Sequence, residues 1–149
     1  MTDYDLIIKQ MEALAEASSD VTAVMANTAA LLYHALEDVN WAGFYLVKEG
    51  ALILGPFQGN VACVRIEKGK GVCGTAWAQD CVQLVPDVHA FPGHIACDAA
   101  SNSEIVVPIH RGGGVFAVLD IDSPSFDRFS EEDRAGLLAL AASMERIFG

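Results

Sequence analysis

Trp41-Ala42-Gly43-Phe44-Tyr45-Leu46-Val47-Lys48-Glu49-Gly50-Ala51-Leu52-Ile53-Leu54-Gly55-Pro56-Phe57 is the stretch that decides the fold. Trp41 to Lys48 is aromatic-rich, Glu49-Gly50 is a turn signal, and Ala51 to Phe57 reads as a returning strand. The stretch therefore predicts a β-hairpin. Gln58-Gly59-Asn60 turns the chain into a third strand, predicted over Val61 to Ile66. Gly69-Lys70-Gly71 opens a short helix, Val72 to Gln79, and Val82 to Val85 is a short extended piece. A loop follows that holds Phe91-Pro92-Gly93-His94-Ile95-Ala96-Cys97-Asp98. The last two strands, Glu104 to Ile109 and Val115 to Ile121, are joined by Arg111-Gly112-Gly113-Gly114.

Helices flank this block. Leu6, Ile7, Met11, Leu14 and Ala15 recur at helical spacing, and Ser18-Ser19-Asp20 then breaks and caps the chain. A second helix presents Val24, Thr28, Leu31, Leu32, Ala35 and Leu36 on one face and ends near Asp38-Val39-Asn40. In the last helix Ser130 is the expected N-cap, with Asp133 completing a capping-box pattern, and Leu137, Leu140, Ala141, Met144 and Ile147 line one face. No internal repeat, low-complexity tract or linker interrupts the order. Helices, then mostly antiparallel strands, then a helix predict an α+β fold: a roughly six-stranded sheet with the N- and C-terminal helices packed on one face.

The 149 residues fit one domain, and 52% hydrophobic residues are enough for a core without disulfide staples. Twenty acids against nine bases give a net charge of −11. Such a chain repels phosphate backbones and anionic lipid, which excludes nucleic acid and membrane surfaces as natural partners. The longest uncharged stretch, Val21 to Leu36, has 16 residues and carries Asn27 and His34, too short and polar to span a bilayer. The acidic start Met1-Thr2-Asp3-Tyr4-Asp5 lacks the basic region of a signal peptide, so a cytoplasmic location is expected. Cysteines there stay reduced, and a disulfide would be catalytic rather than structural.

Four cysteines stand 10, 8 and 16 residues apart, at Cys63, Cys73, Cys81 and Cys97. No Cys-x-x-Cys pair exists, which speaks against structural zinc. Cys73 and Cys81 read equally well as small buried hydrophobes. Cys97, between His94 and Asp98 in a glycine-containing loop, reads as a reactive thiol, although its reactivity depends on surroundings that spacing does not show. Asp120 and Asp122 are two apart on a strand and so share a face. With Glu104 they make a group in which one carboxyl acts as an acid and the others hold an ammonium, or else three solvated strand ends. Trp41, Gly43 and Tyr45 also share a face. They are either core aromatics or two walls with a ligand over the glycine. Gly69-Lys70-Gly71-Val72-Cys73-Gly74 contains a G-x-G-x-x-G string. It lacks the context of a dinucleotide site and reads instead as a structural helix start.

Several of these stretches together resemble the free methionine-(R)-sulfoxide reductases, a family of stand-alone GAF domains. They are Asn40-Trp41-Ala42-Gly43-Phe44-Tyr45-Leu46, Gly55-Pro56-Phe57-Gln58-Gly59, Ala62-Cys63-Val64-Arg65-Ile66, Gly69 to Ala76, Pro86-Asp87-Val88-His89, Phe91 to Asp98, Ser101 to Pro108 and Leu119-Asp120-Ile121-Asp122-Ser123. The resemblance implies a single GAF domain over residues 1–149. It implies Cys97 as the catalytic thiol, Cys63 as the resolving thiol, and Cys73 as a third cysteine able to join an alternative disulfide. Glu104, Asp120 and Asp122 are then the pocket carboxylates, with Trp41 and Tyr45 as its aromatic walls. The implied substrate is free methionine-(R)-sulfoxide and the implied reductant thioredoxin, with no cofactor and no metal. Two positions depart from the pattern: Cys81 has no family role, and Ala117 stands where related strands often carry glycine. Two other readings remain. One is a ligand-sensing GAF module without catalysis, and the other a zinc hydrolase built on His89, His94 and Cys97. The helical face offers a surface for a homodimer.

Overall fold

The structure, a computed structural model, describes residues 1–94 and 99–149. Among these residues the elements run α1 (Tyr4–Ala15), α2 (Val21–Ala35), β1 (Trp41–Lys48), β2 (Ala51–Gly59), β3 (Arg65–Glu67), α3 (Gly71–Gln79), β4 (Gln83–Val85), β5 (Ser103–Arg111), β6 (Gly114–Ser123) and α4 (Glu131–Phe148). The strands form one six-stranded sheet in the order β3-β2-β1-β6-β5-β4. Every neighbouring pair is antiparallel. The α+β architecture follows the sequence expectation, and no helix among the described residues is long and apolar enough to cross a membrane.

Strand periodicity divides the sheet into two working faces. Ala42 and Phe44 of β1, Ile105, Val107 and Ile109 of β5, and Ala117, Leu119 and Ile121 of β6 point to one side. There they pack on Ile7 and Met11 of α1, Met25 and Leu32 of α2, and Leu137, Leu140 and Met144 of α4. Each large side chain buried in this layer contributes about 1.5–3 kcal/mol of transfer free energy. The alternate residues Trp41, Tyr45, Val106 and Val118 point to the opposite side, where α3 contributes Val72, Cys73 and Ala76. The helical layer thus makes the central strands rigid, and their other face is left to build a site.

The helix ends follow local chemistry. Asp20 caps α2 by accepting from the Ala23 amide at 3.0 Å. At α4 both halves of the Ser130–Asp133 capping box are present. The same Asp133 carboxylate accepts from the Tyr4 hydroxyl at 2.6 Å and from Arg128 at 3.1 Å, tying α1 to α4.

One predicted element is corrected. The strand expected over Val61 to Ile66 is reduced to Arg65–Glu67, while β2 runs on to Gly59. Two anchors from β1 replace ladder bonds here: Trp41 Nε1 donates to the Asn60 carbonyl at 3.0 Å, and the Tyr45 hydroxyl donates to the Cys63 carbonyl at 3.1 Å. Val61 and Val64 are left exposed, so the apolar run from Val61 to Val64 does not mark a sheet strand.

Candidate active site

Trp41, Tyr45, Cys73, Glu104, Asp120 and Asp122 all line one small cavity of about 50 Å³ on the face of the sheet away from α1, α2 and α4. Six of the eight residues singled out from the sequence therefore meet in one place. Cys63 lies beside Ala62, which lines the cavity. Cys63 is disulfide-bonded, whereas Cys73 and Cys81 are free thiols. Cys97 lies outside the described residues, and the His89–His94–Cys97 zinc reading falls there in part. His89 is committed elsewhere, its Nε2 lying 2.8 Å from Asn102 Oδ1.

Register brings the acids together. Glu104 on β5 stands opposite Asp122 on β6, and Asp120 and Asp122 stand opposite Gly43 and Trp41 on β1. Glu104 is 8% exposed and Asp120 5%, so for these two the reading as solvated strand ends fails, while Asp122 is half-buried. Burial, reinforced by the charges of Asp120 and Asp122, pushes the Glu104 carboxyl well above its ordinary value. Burial also raises Asp120, against the lowering effect of its neighbours Glu104, Asp122 and Cys73. Like charges this close in a poorly solvated site oppose one another's ionisation, so the cluster holds on to protons above the ordinary carboxylate range. Asp120 Oδ1 is buried and, among the described residues, has no partner within hydrogen-bond distance. It is an acceptor facing the cavity with its demand unmet.

The same surroundings decide the state of the thiol and the rings. Burial first, then the three acids, pushes Cys73 well above the ordinary thiol range, so it is held as a thiol rather than a thiolate. Tyr45 is pushed up for the same reasons, chiefly burial and Asp120, and its hydroxyl is a fixed donor to Cys63. Burial and His89 hold His94 below its ordinary value, against the pull of Asp120.

Trp41 stacks on Phe57 at 5.2 Å and on Tyr45 at 6.0 Å between ring centroids, forming a flat aromatic wall. The space over Gly43 is filled by this wall rather than left for a ligand. A Cβ at position 43 would lie 2.3 Å from Phe57 Cβ and 2.8 Å from the Trp41 ring. Gly43→Ala is therefore expected to destabilise the protein by about 1–3 kcal/mol through overpacking. Thermal unfolding checks this, and an unchanged melting temperature would contradict it.

Sequence reasoning missed the first turn of α3. Lys70, Gly71 and Val72 line the cavity, and the N-cap Lys70 makes no side-chain capping bond. Open first-turn amides and the positive end of the helix suit a carboxylate. The signal was present in Gly69-Lys70-Gly71, whose two glycines take φ of 82° and 62°. That a helix starts here was legible, but not that it starts against the acids.

A helix-backed antiparallel sheet with a small ligand cavity on its free face defines a GAF domain, and residues 18–148 match the GAF domain family. The chain is 55% identical to the free methionine-R-sulfoxide reductase of Escherichia coli, over 97% of this chain and 87% of that one. It superposes on the fRMsr of Staphylococcus aureus in its reduced form with a TM-score of 0.96 and 49% identity, covering 100% and 97% of the two chains. It superposes on the free methionine-R-sulfoxide reductase of Neisseria meningitidis, in complex with its substrate, with a TM-score of 0.93 and 45% identity, covering 97% and 87%. The chain belongs to the free methionine-R-sulfoxide reductase family.

Proposed function

We propose that this cavity reduces free L-methionine-(R)-sulfoxide to L-methionine, with Cys97 as the attacking thiol and Cys63 as its resolving partner. The observation that carries the reading is the convergence of Glu104, Asp120 and Asp122 in one small cavity beside the Cys63 segment. The pairing of Cys63 with Cys97 is supported by Cys63 being disulfide-bonded while Cys73 and Cys81 are free.

The Cys97 thiolate attacks the sulfoxide sulfur while a carboxyl of the cluster gives its proton to the departing oxygen. The S–O bond breaks and the hydroxyl passes to the Cys97 sulfur as the transient bond between Cys97 and the substrate sulfur breaks; methionine leaves with its sulfur reduced by two electrons, and Cys97 is left as a sulfenic acid. The Cys63 thiol displaces the hydroxyl as water and forms the disulfide. A dithiol, thioredoxin in the reducing cytoplasm, then exchanges with that disulfide and restores both thiols. Methionine's α-ammonium sits on Asp120 Oδ1 and its neighbouring carboxylates, which meets the open acceptor there. The substrate carboxylate sits on the first-turn amides of α3, and the S-methyl group lies against the indole of Trp41. Residues 1–149 work as one domain. The outer face of α1, with Leu6 and Leu14 exposed, is the surface on which two copies pair.

A peptide-bound methionine sulfoxide has neither terminus free. It would leave buried carboxylates and helix amides without partners, which costs about 10⁴-fold in kcat/KM. Turnover of the free amino acid against its N-acetyl amide, followed by chromatography with a thioredoxin system, tests this. Comparable rates on both would overturn the reading.

A further inference from the structure

We propose that the cavity also binds one divalent cation of zinc-like softness on the Cys73 sulfur and the Glu104 and Asp120 carboxylates. The site does not depend on the assigned reaction, and only its competition with methionine rests on that reading.

One donor atom from each of Cys73, Glu104 and Asp120 lies within 4.8 Å of the other two, and all three residues are buried. Donors around a tetrahedral zinc lie about 3.5 Å apart for its usual bond lengths, so side-chain rotation of about an ångström closes the set. The donors come from α3, β5 and β6, three elements fixed by the sheet. They are therefore preorganised rather than gathered from loops. A second observation points to a cation: Asp120 Oδ1 is fully buried in the cavity wall and has no hydrogen-bond partner among the described residues. An ammonium satisfies that oxygen but makes no use of the sulfur beside it. A cation that takes both sulfur and carboxylate does. That donor set selects zinc, cobalt or cadmium over magnesium and calcium, which take oxygen ligands. On binding, the thiol and carboxyl protons pass to solvent, and the divalent charge neutralises a group of acids that otherwise repel one another. The fourth position is open to water or to His94, which lines the same cavity. The net charge of −11 raises the local concentration of cations.

The test is a cobalt(II) titration of the Cys81→Ser protein with its disulfide intact, so that neither the surface thiol nor Cys63 supplies sulfur. We expect saturation at about one equivalent with a thiolate-to-cobalt charge-transfer band, unaffected by excess magnesium. Adding Cys73→Ser should abolish the band. Asp120→Asn or Glu104→Gln, with folding checked by circular dichroism, should weaken binding about tenfold or more. No band in the Cys81→Ser protein, or a band that survives Cys73→Ser, would overturn the proposal. L-methionine should displace the ion through the shared Asp120. A Cys73-dependent band that methionine leaves untouched supports the metal site and counts instead against the substrate placement.

Discussion

Cys97→Ser is expected to bring turnover of free methionine-(R)-sulfoxide down at least about a thousandfold, to the background of the reductant, as loss of a nucleophile would. Cys63→Ser should behave differently: it should release about one methionine per protein and then stop, with the proposed sulfenic acid formed but not resolved. The contrast rests on where the other two thiols are. Cys73 lies in the cavity, but burial and three acids keep it protonated, so it is a poor substitute for an attacking thiolate. Cys81 is exposed beyond the end of α3, among Gln79 and Gln83, and does not line the cavity. Methionine released per protein, measured with and without thioredoxin, separates the two variants. Sustained turnover by Cys97→Ser would remove the nucleophile from the mechanism. Sustained turnover by Cys63→Ser would mean that another thiol resolves the sulfenic acid, and Cys73 is the free thiol, among the described residues, that lines the cavity.

Much of this site was legible in the sequence because strand periodicity is rigid. Asp120 and Asp122, or Trp41 and Tyr45, must share a face once β6 and β1 are strands, and the structure places all four on the cavity side. The Ser130–Asp133 capping box was equally local. What failed depends on contacts distant in sequence. Val61 to Val64 is an apolar run after a turn and reads as the start of a strand, yet Trp41 and Tyr45 take hold of the Asn60 and Cys63 carbonyls and draw that segment to the cavity. Gly43 looked like room for a ligand, but the missing side chain accommodates Trp41 and Phe57. The cross-strand pairing of Glu104 with Asp122 is a matter of register, and the docking of α3 a matter of tertiary packing. Neither has a local signature. The ionisation of the acids and thiol follows from that packing, which is why spacing alone left it open.

Glu104→Gln is expected to make the protein more stable and less active, with both effects depending on pH. In the folded chain burial, then Asp120 and Asp122, raises this carboxyl well above its ordinary value, whereas in the unfolded chain it titrates near 4 or slightly above, so about pH 4.3. Across that interval the folded state binds more protons than the unfolded one. The contribution of Glu104 to stability is therefore greatest below the unfolded value and is lost as pH rises toward the folded one. At pH 8 the native protein either ionises a buried acid beside two others or strips a proton from solvent to avoid it. Glutamine removes that cost while keeping the shape, and replacing a buried charge in this way gains about 1–4 kcal/mol. For a chain of this size each kcal/mol is about 2–4 °C in melting temperature. The gain should shrink toward pH 5, where the carboxyl is already neutral in the fold. Activity moves the other way. With its carboxyl raised well above the usual range, Glu104 is the proposed donor of the proton to the departing oxygen, and losing it should cost about 10²–10⁴-fold in kcat. The wild-type rate should accordingly fall as pH rises through the raised value, and the residual Glu104→Gln rate should lose that limb. Calorimetry at pH 5.5 and 8, with the two pH–rate profiles, checks both halves. A variant less stable at pH 8 than the native protein would mean that Glu104 is ionised and well paired in the fold. The proton would then have to come from Asp120 or Asp122.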